Sequence, residues 1–103
     1  MIQICNLRKE KTSKQYDVKC DRSSVLGNPF PMKTEAKRDE CCEQYSQRFL
    51  SIMDKPDEFK KFHKEMQRLL AIYRLHGKLR LFCWCAPKRC HTETIKAWIE
   101  EQK

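Results

Sequence analysis

Polar and apolar residues alternate at the start of the chain, where Ile2 and Ile4, followed by Leu7, read as a short strand. A polar, basic stretch from Arg8 to Lys14 reads as a turn. Tyr16, Val18 and Cys20 then alternate with Asp17, Lys19 and Asp21, the pattern of a half-buried second strand. The period breaks between Asp21 and Lys33, where one of only two glycines and two of the four prolines mark a loop. Thr34 is placed to cap a helix that carries Glu35 in its first turn and runs to about Met53. Cys41/Cys42, Tyr45, Phe49 and Ile52/Met53 recur along it at intervals of three and four. Pro56, followed by Asp57 and Glu58, predicts the opening of a second helix. Its stripe is Phe59, Phe62, Met66, Leu69/Leu70 and Tyr73, and Gly77 is the expected stop. Lys78 to Cys85 reads as a central strand with apolar character on both faces. After Arg89 a last helix aligns Ile95, Trp98 and Ile99.

The order β-β-α-α-β-α predicts an α/β fold. The expected form is a small three-layer sandwich, Rossmann-like in its local logic, with three or four strands, a partly parallel sheet and about three helices. A right-handed helical crossover would join the second strand to the third. At 103 residues the whole chain, 1–103, reads as one α/β domain. Forty per cent hydrophobic residues exclude the low-hydrophobicity kind of disorder. No run of apolar residues approaches the ~18 that a membrane span needs. The N-terminus lacks the apolar middle and small-residue cleavage site of a signal peptide, so no membrane partner is expected and the reading is cytoplasmic. Seven cysteines, an odd number with two adjacent, make a poor disulfide framework. In reducing surroundings they point instead to packing, metal binding or thiol chemistry.

The densest chemical signal is Leu81-Phe82-Cys83-Trp84-Cys85-Ala86-Pro87-Lys88-Arg89-Cys90-His91-Thr92, a strand, a tight turn and the opening of a helix. Three readings compete for it. Cys83, Cys85, Cys90 and His91 supply four zinc ligands by type, although their spacing is tighter than structural zinc sites favour. Cys83 and Cys85 can equally be small core residues. In the third reading, the free N–H groups of the helix start together with Lys88 and Arg89 make an anion or nucleotide pocket. Cys90 there would gain thiolate character, and His91 would act as acid, base or donor. These two are the candidate catalytic residues.

The second constellation is Asp21-Arg22-Ser23-Ser24-Val25-Leu26-Gly27-Asn28-Pro29-Phe30. Gly27 permits a close backbone approach, and Pro29 holds Asn28 extended. The Asn28 amide offers a donor and an acceptor for a base or hydroxyl, and Phe30 a face for stacking. The competing reading is a turn with an anchoring Phe. The loop follows a strand, so it is expected at the same sheet edge as the Cys–His turn. Arg38, near the start of the first long helix, is a further candidate to pair with phosphate or carboxylate.

Three groups of residues carry a resemblance. They are Tyr16-Asp17-Val18, Asp21-Arg22 and Gly27-Asn28-Pro29-Phe30; Lys37-Arg38-Asp39-Glu40 with Tyr45; and Leu81 to Pro87 with Cys90-His91. In this order the chain resembles a small phage and bacterial family catalogued only as a domain of unknown function (number four-three-two-six). The resemblance implies a compact α/β domain, often phage-encoded, with these segments forming the site, and it supplies no activity.

The functional expectation is a small domain binding a nucleotide, nucleoside or other phosphorylated ligand, with hydrolase or transferase chemistry as an open question. Asp21, Arg22, Gly27, Asn28, Pro29, Phe30, Arg38 and Lys88 are the expected ligand-binding residues. No cofactor is expected beyond the zinc alternative. Two other classes stay open. One is a non-catalytic protein that modulates a host protein in the host cytoplasm. The other is a basic nucleic-acid binder, suggested by the net charge of +8. The basic residues, however, are scattered among acids, with no groove-entering motif.

Overall fold

Strand alternation at both ends of the chain places Ile2, Val18, Leu79 and Leu81 on one buried face, and a parallel sheet follows from it. A computed structural model of the protein describes residues 1–30, 32–85 and 88–102. Its strands are β1 (Ile2–Asn6), β2 (Asp17–Lys19) and β3 (Leu79–Cys83), in the order β1-β3-β2. Both neighbours pair with β3 in parallel, with Ile4 and Val18 each in register with Leu81. The sheet is thus wholly parallel where the sequence suggested partly, and β3 is central as expected. The helices are α1 (Arg38–Met53), α2 (Lys60–His76) and α3 (Thr92–Glu101). β2 and β3 are joined through α1 and α2, the long excursion that parallel neighbours require.

All three helices turn their apolar stripes into one core. Tyr45, Phe49 and Ile52 of α1, Phe62, Met66, Leu69, Leu70 and Tyr73 of α2, and Ile95 and Ile99 of α3 meet the sheet residues there. Phe49 links the helices, with its ring 5.7 Å from Phe62 and 6.5 Å from Trp98. Each such fully buried side chain contributes about 1.5–3 kcal/mol. On the opposite face of the sheet Gln3 and Lys19 stay exposed, and the β1–β2 connection meets it at Arg80. There the Arg80 guanidinium lies 5.1 Å over the Phe82 ring and 5.9 Å from Tyr16. It pairs with Asp17 and Glu10.

Element boundaries differ from the sequence reading in three places. A 3-10 turn over Glu35–Lys37 precedes α1, and Thr34, although extended, makes no capping hydrogen bond through its side chain. Pro56 opens a turn rather than a helix, because the N–H groups of Glu58 and Phe59 both close on the Lys55 carbonyl. β3 stops at Cys83, and the bend at Trp84 and Cys85 leaves the Trp84 side chain 51% exposed. Gly77 ends α2 as expected, in the left-handed conformation at φ 67°. No helix among the described residues is long and apolar enough to cross a membrane.

Candidate functional site

In a parallel sheet the segments that leave the C-terminal strand ends emerge along one edge, where ligands of open α/β folds bind. The chain leaving β2 enters the 21–30 loop, and the chain leaving β3 enters the Cys–His bend. Hydrogen bonds tie the two together. Trp84 Nε1 donates to Asp21 Oδ2 at 3.1 Å, and His91 Nε2 lies 2.6 Å from the Cys20 carbonyl oxygen. Between them lies a cavity of about 380 Å3.

The loop builds its own shape. Asp21 Oδ1 accepts from the Ser23 N–H and hydroxyl, and these bonds, led by the hydroxyl, hold its carboxyl below the usual range. The Ser24 N–H closes on the Asp21 carbonyl, and the Gly27 N–H closes on that of Ser24. This double turn drives Gly27 against the Asp21 carbonyl oxygen and within 2.7 Å of Arg22 Cα for any added Cβ, a position only glycine fits. Leu26 is fully buried, and its carbonyl accepts the Tyr45 hydroxyl at 2.8 Å. Asn28 Oδ1 accepts the Phe30 N–H at 2.9 Å, while its Nδ2 reaches the Cys41 carbonyl at 3.5 Å. Arg22 closes the loop by donating to the Phe30 carbonyl at 3.3 Å.

His91 is 7% exposed and packs edge-on against the Tyr45 ring at 4.8 Å. Burial pulls its pKa below the ordinary histidine value. The Cys20 oxygen only accepts, so Nε2 carries the proton and the Nδ1 lone pair faces Cys90 Sγ at 3.4 Å. The Cys90 thiol is held below its ordinary value, chiefly by the Cys83 thiol and then, against burial, by the Thr92 hydroxyl and N–H. Thr92 Oγ1 is buried without a hydrogen-bond partner among the described residues. A donor left idle beside a neutral thiol is engaged once the sulfur carries charge. These donors ease the Cys90 thiol toward ionisation just before α3, and the Nδ1 lone pair of the neutral imidazole is placed to accept its proton.

Most of the residues singled out from sequence come together here. Asp21, Arg22, Asn28, Phe30, Arg38, Cys90 and His91 all line the cavity. Gly27 and Pro29 do not; they border a neighbouring cavity against Tyr45, Phe49 and the start of α2. Lys88 also lies outside it. Its ammonium is drawn 2.7 Å from Glu35 Oε1 on an exposed surface. The cation that takes its place in the wall is Arg89, paired with Asp39 at 3.1 Å and Glu43 at 2.6 Å. Arg38 is bidentate to Glu35 and donates to the Arg89 carbonyl at 3.0 Å. Glu35, held by Arg38 and Lys88, ionises at about 2.

Sequence reasoning missed Ser23, Met32, Cys41, Cys42 and Trp84 as lining residues, while Arg89, read with Lys88 as a cation of the anion pocket, is in the wall. Cys41 and Cys42 carry the signal of a core stripe, and nothing in their spacing marks a cavity wall. The four residues of the zinc reading share the cavity. Among the described residues, however, no group of three or more His, Cys, Asp or Glu is arranged to hold a metal ion. Pro31 of the loop, and Ala86 and Pro87 of the turn, lie outside the described residues.

A family model described as a domain of unknown function, DUF4326, matches residues 5–101, and the chain belongs to that family. No curated protein and no solved structure matches it.

Proposed function

We propose that this DUF4326 domain binds a nucleotide, nucleoside or other small phosphorylated molecule in the cavity at the C-terminal edge of the sheet. In this reading Cys90 and His91 act on that molecule as a small hydrolase or transferase pair. The observation that carries it is the convergence of the Asn28 loop and the Cys–His bend on one cavity of about 380 Å3. That volume falls in the range of small-molecule sites, about 300–1,000 Å3.

Trp84 and Phe30 offer flat faces to a base, and Met32 adds a deformable apolar edge. Arg22, Arg38 and Arg89 offer guanidinium groups to a phosphate. The Cys90 thiolate is the nucleophile, and the neutral His91 imidazole holds or returns a proton at Nδ1. As the sulfur bonds to the electrophilic atom, Nδ1 takes up the Cys90 proton. The bond to the leaving group breaks, and that group departs with the electron pair and is protonated from Nδ1. Water or an acceptor hydroxyl then displaces the sulfur and gives up its proton, which restores the Cys90 thiol. The same reading places the domain in a cytoplasm, that of the host if it is phage-encoded, where thiols stay reduced.

The test is calorimetry and thermal shift over a panel of adenosine, AMP, ribose 5-phosphate and cyclic dinucleotides, repeated with Trp84→Ala and Arg38→Ala. A saturable ligand whose affinity falls at least about tenfold in Trp84→Ala supports the reading, a loss of about 1.4 kcal/mol. A panel in which no member moves the melting temperature or releases heat overturns it.

A further inference from the structure

The 21–30 loop has a second face. Asp21, Arg22, Asn28 and Phe30 line the proposed site, whereas Val25, Gly27 and Pro29 line a separate cavity of about 410 Å3. Its apolar wall is Pro29, Phe49, Ile52, Phe59 and Phe62, and Val25 in its lining is 47% exposed. Val25 and Lys61 also line a more open hollow of about 550 Å3 that continues past Lys64 to Arg68. The two hollows therefore form one elongated groove beside α2. Lys60, Lys64 and Arg68 recur at intervals of four with Lys61 next to them, which puts these cations on one side of the helix. Arg48 of α1 joins them in the lining. Among the described residues no carboxylate pairs with Arg48, Lys60, Lys61 or Lys64. Of the acids in the groove, Glu65 is taken by Arg68 at 2.6 Å, and Glu58 faces the free cations alone. At the proposed site, by contrast, Arg38 and Arg89 are already held by Glu35, Asp39 and Glu43.

We propose that this groove docks an extended acidic segment of a partner protein. One large apolar side chain of that segment seats against Pro29, Phe59 and Phe62, and its carboxylates follow the cations of α2. From Lys60 to Arg68 the helix rises about 12 Å, at about 1.5 Å per residue. An extended chain covers that distance in about four residues at about 3.3 Å each. A short run of Asp and Glu beside one apolar anchor therefore matches the groove in length and in charge. The free cations select against a basic partner. The apolar wall selects against nucleic acid. Phosphates suit the lysines, but the wall leaves the polar edge of a base without partners, and the Tyr45 hydroxyl in the lining already donates to the Leu26 carbonyl. Docking here grips, from its outer side, the loop that walls the proposed site. It does not depend on the ligand proposed for that site.

The test uses the full chain and a dye-labelled peptide, Glu-Asp-Glu-Phe-Asp-Glu-Asp, whose acids flank the anchor on both sides. Fluorescence anisotropy should show saturable binding. Replacing the peptide's Phe by Gly at equal charge should weaken it at least about tenfold, the loss of one buried aromatic side chain. Lys61→Glu with Lys64→Glu should also weaken it at least about tenfold. Lys11→Glu with Lys14→Glu makes an equal change of charge at exposed positions of the β1–β2 connection and should leave affinity within about threefold. An acid in the first turn of α2 favours the helix, so Lys61→Glu does not threaten folding. In wild type, backbone amide shifts on adding peptide should centre on Gly27, Lys61 and Phe62 rather than on His91, which locates the groove without any variant. No saturation below about 1 mM overturns the proposal, as does an equal loss from both pairs of reversals or a shift map centred on His91. Tighter binding of a dye-labelled oligothymidylate at the same amides overturns it in favour of nucleic acid. A dimer in sedimentation that Lys61→Glu dissolves overturns it in favour of a second copy of the chain. An empty small-molecule panel leaves this groove untouched.

Discussion

Replacing Asp17 with Asn probes the contact that closes the open face of the sheet and holds β3, whose end forms the cavity wall. The Asp17 carboxylate accepts Arg80 Nε at 2.6 Å and Nη2 at 2.8 Å. It also accepts the Ser13 and Lys14 N–H groups at 2.8 and 2.9 Å. Its side chain is fully covered. These bonds, Arg80 first, pull its pKa from 3.8 to about 2. At about 1.4 kcal/mol per pH unit, the difference is worth about 2 kcal/mol. The native carboxyl binds a proton more weakly than the unfolded one. The stabilisation is therefore complete above pH 3.8 and is lost as pH falls from about 4 to about 2. Asn keeps the shape and the turn but removes the charge, which leaves Arg80 with Glu10 alone. Urea unfolding from pH 7 to pH 2 is the assay. Asp17→Asn should lose about 2–3 kcal/mol at pH 7, and the gap to wild type should close as pH approaches 2. A variant that loses under about 0.5 kcal/mol, or that keeps a parallel acid limb, refutes the pairing as a source of stability.

Tyr45→Phe removes the only donor seen on the buried Leu26 carbonyl among the described residues. It should cost about 1–3 kcal/mol in urea unfolding. Gly27→Ala forces a methyl into the backbone of Asp21 and Arg22 and should cost about 1–3 kcal/mol. It should also free the Trp84 indole from Asp21, read as a red shift in tryptophan emission. Iodoacetamide modification of Cys90 should rise at a lower pH than that of an ordinary thiol, because the thiolate is the reacting form and its donors favour it. Thr92→Val should move that profile back upward.

Where the signal was local, the chain was legible. The Phe62, Met66, Leu69/Leu70 and Tyr73 stripe with Gly77 behind it is a helix and its stop, and both were found in place. The alternation of Val18 and Cys20, and of Leu79 and Leu81, located two parallel strands, and with them the sheet edge that gathers the site. Pro56 was misread because proline serves a first helical turn and a free turn equally well. The choice was made by the Lys55 carbonyl, which captures two N–H groups before the helix begins. Lys88 and Arg89 are indistinguishable as neighbouring cations. Which one enters the wall depends on Glu35, Asp39 and Glu43, some fifty residues away in sequence, and no local pattern encodes that. The pairing of Arg80 on the second sheet face was hidden for the same reason, since its partner Asp17 is 63 residues away.

The electrostatics of the start of α3 bear on which part of a ligand the cavity reads. A helix N-terminus favours negative charge, but here the chain supplies that charge itself. The Glu93 carboxylate reaches back to the Cys90 N–H at 3.0 Å, and the Thr92 N–H faces the Cys90 sulfur. A phosphate is left to the arginines, of which Arg38 and Arg89 already face carboxylates. Each pair must be loosened before its guanidinium can serve a ligand, so much of the gain from a new ion pair is offset. Trp84 and Phe30, by contrast, lie in the lining without an aromatic neighbour of their own among the described residues. Under the proposed reading, ring contacts set most of the affinity. A nucleoside should bind within about tenfold of its 5′-phosphate, a difference of no more than about 1.4 kcal/mol. Calorimetry with adenosine and AMP at low and high salt measures it directly. An AMP preference of a thousandfold that collapses with salt would show that the arginines are free for phosphate and that this account of their pairing is wrong.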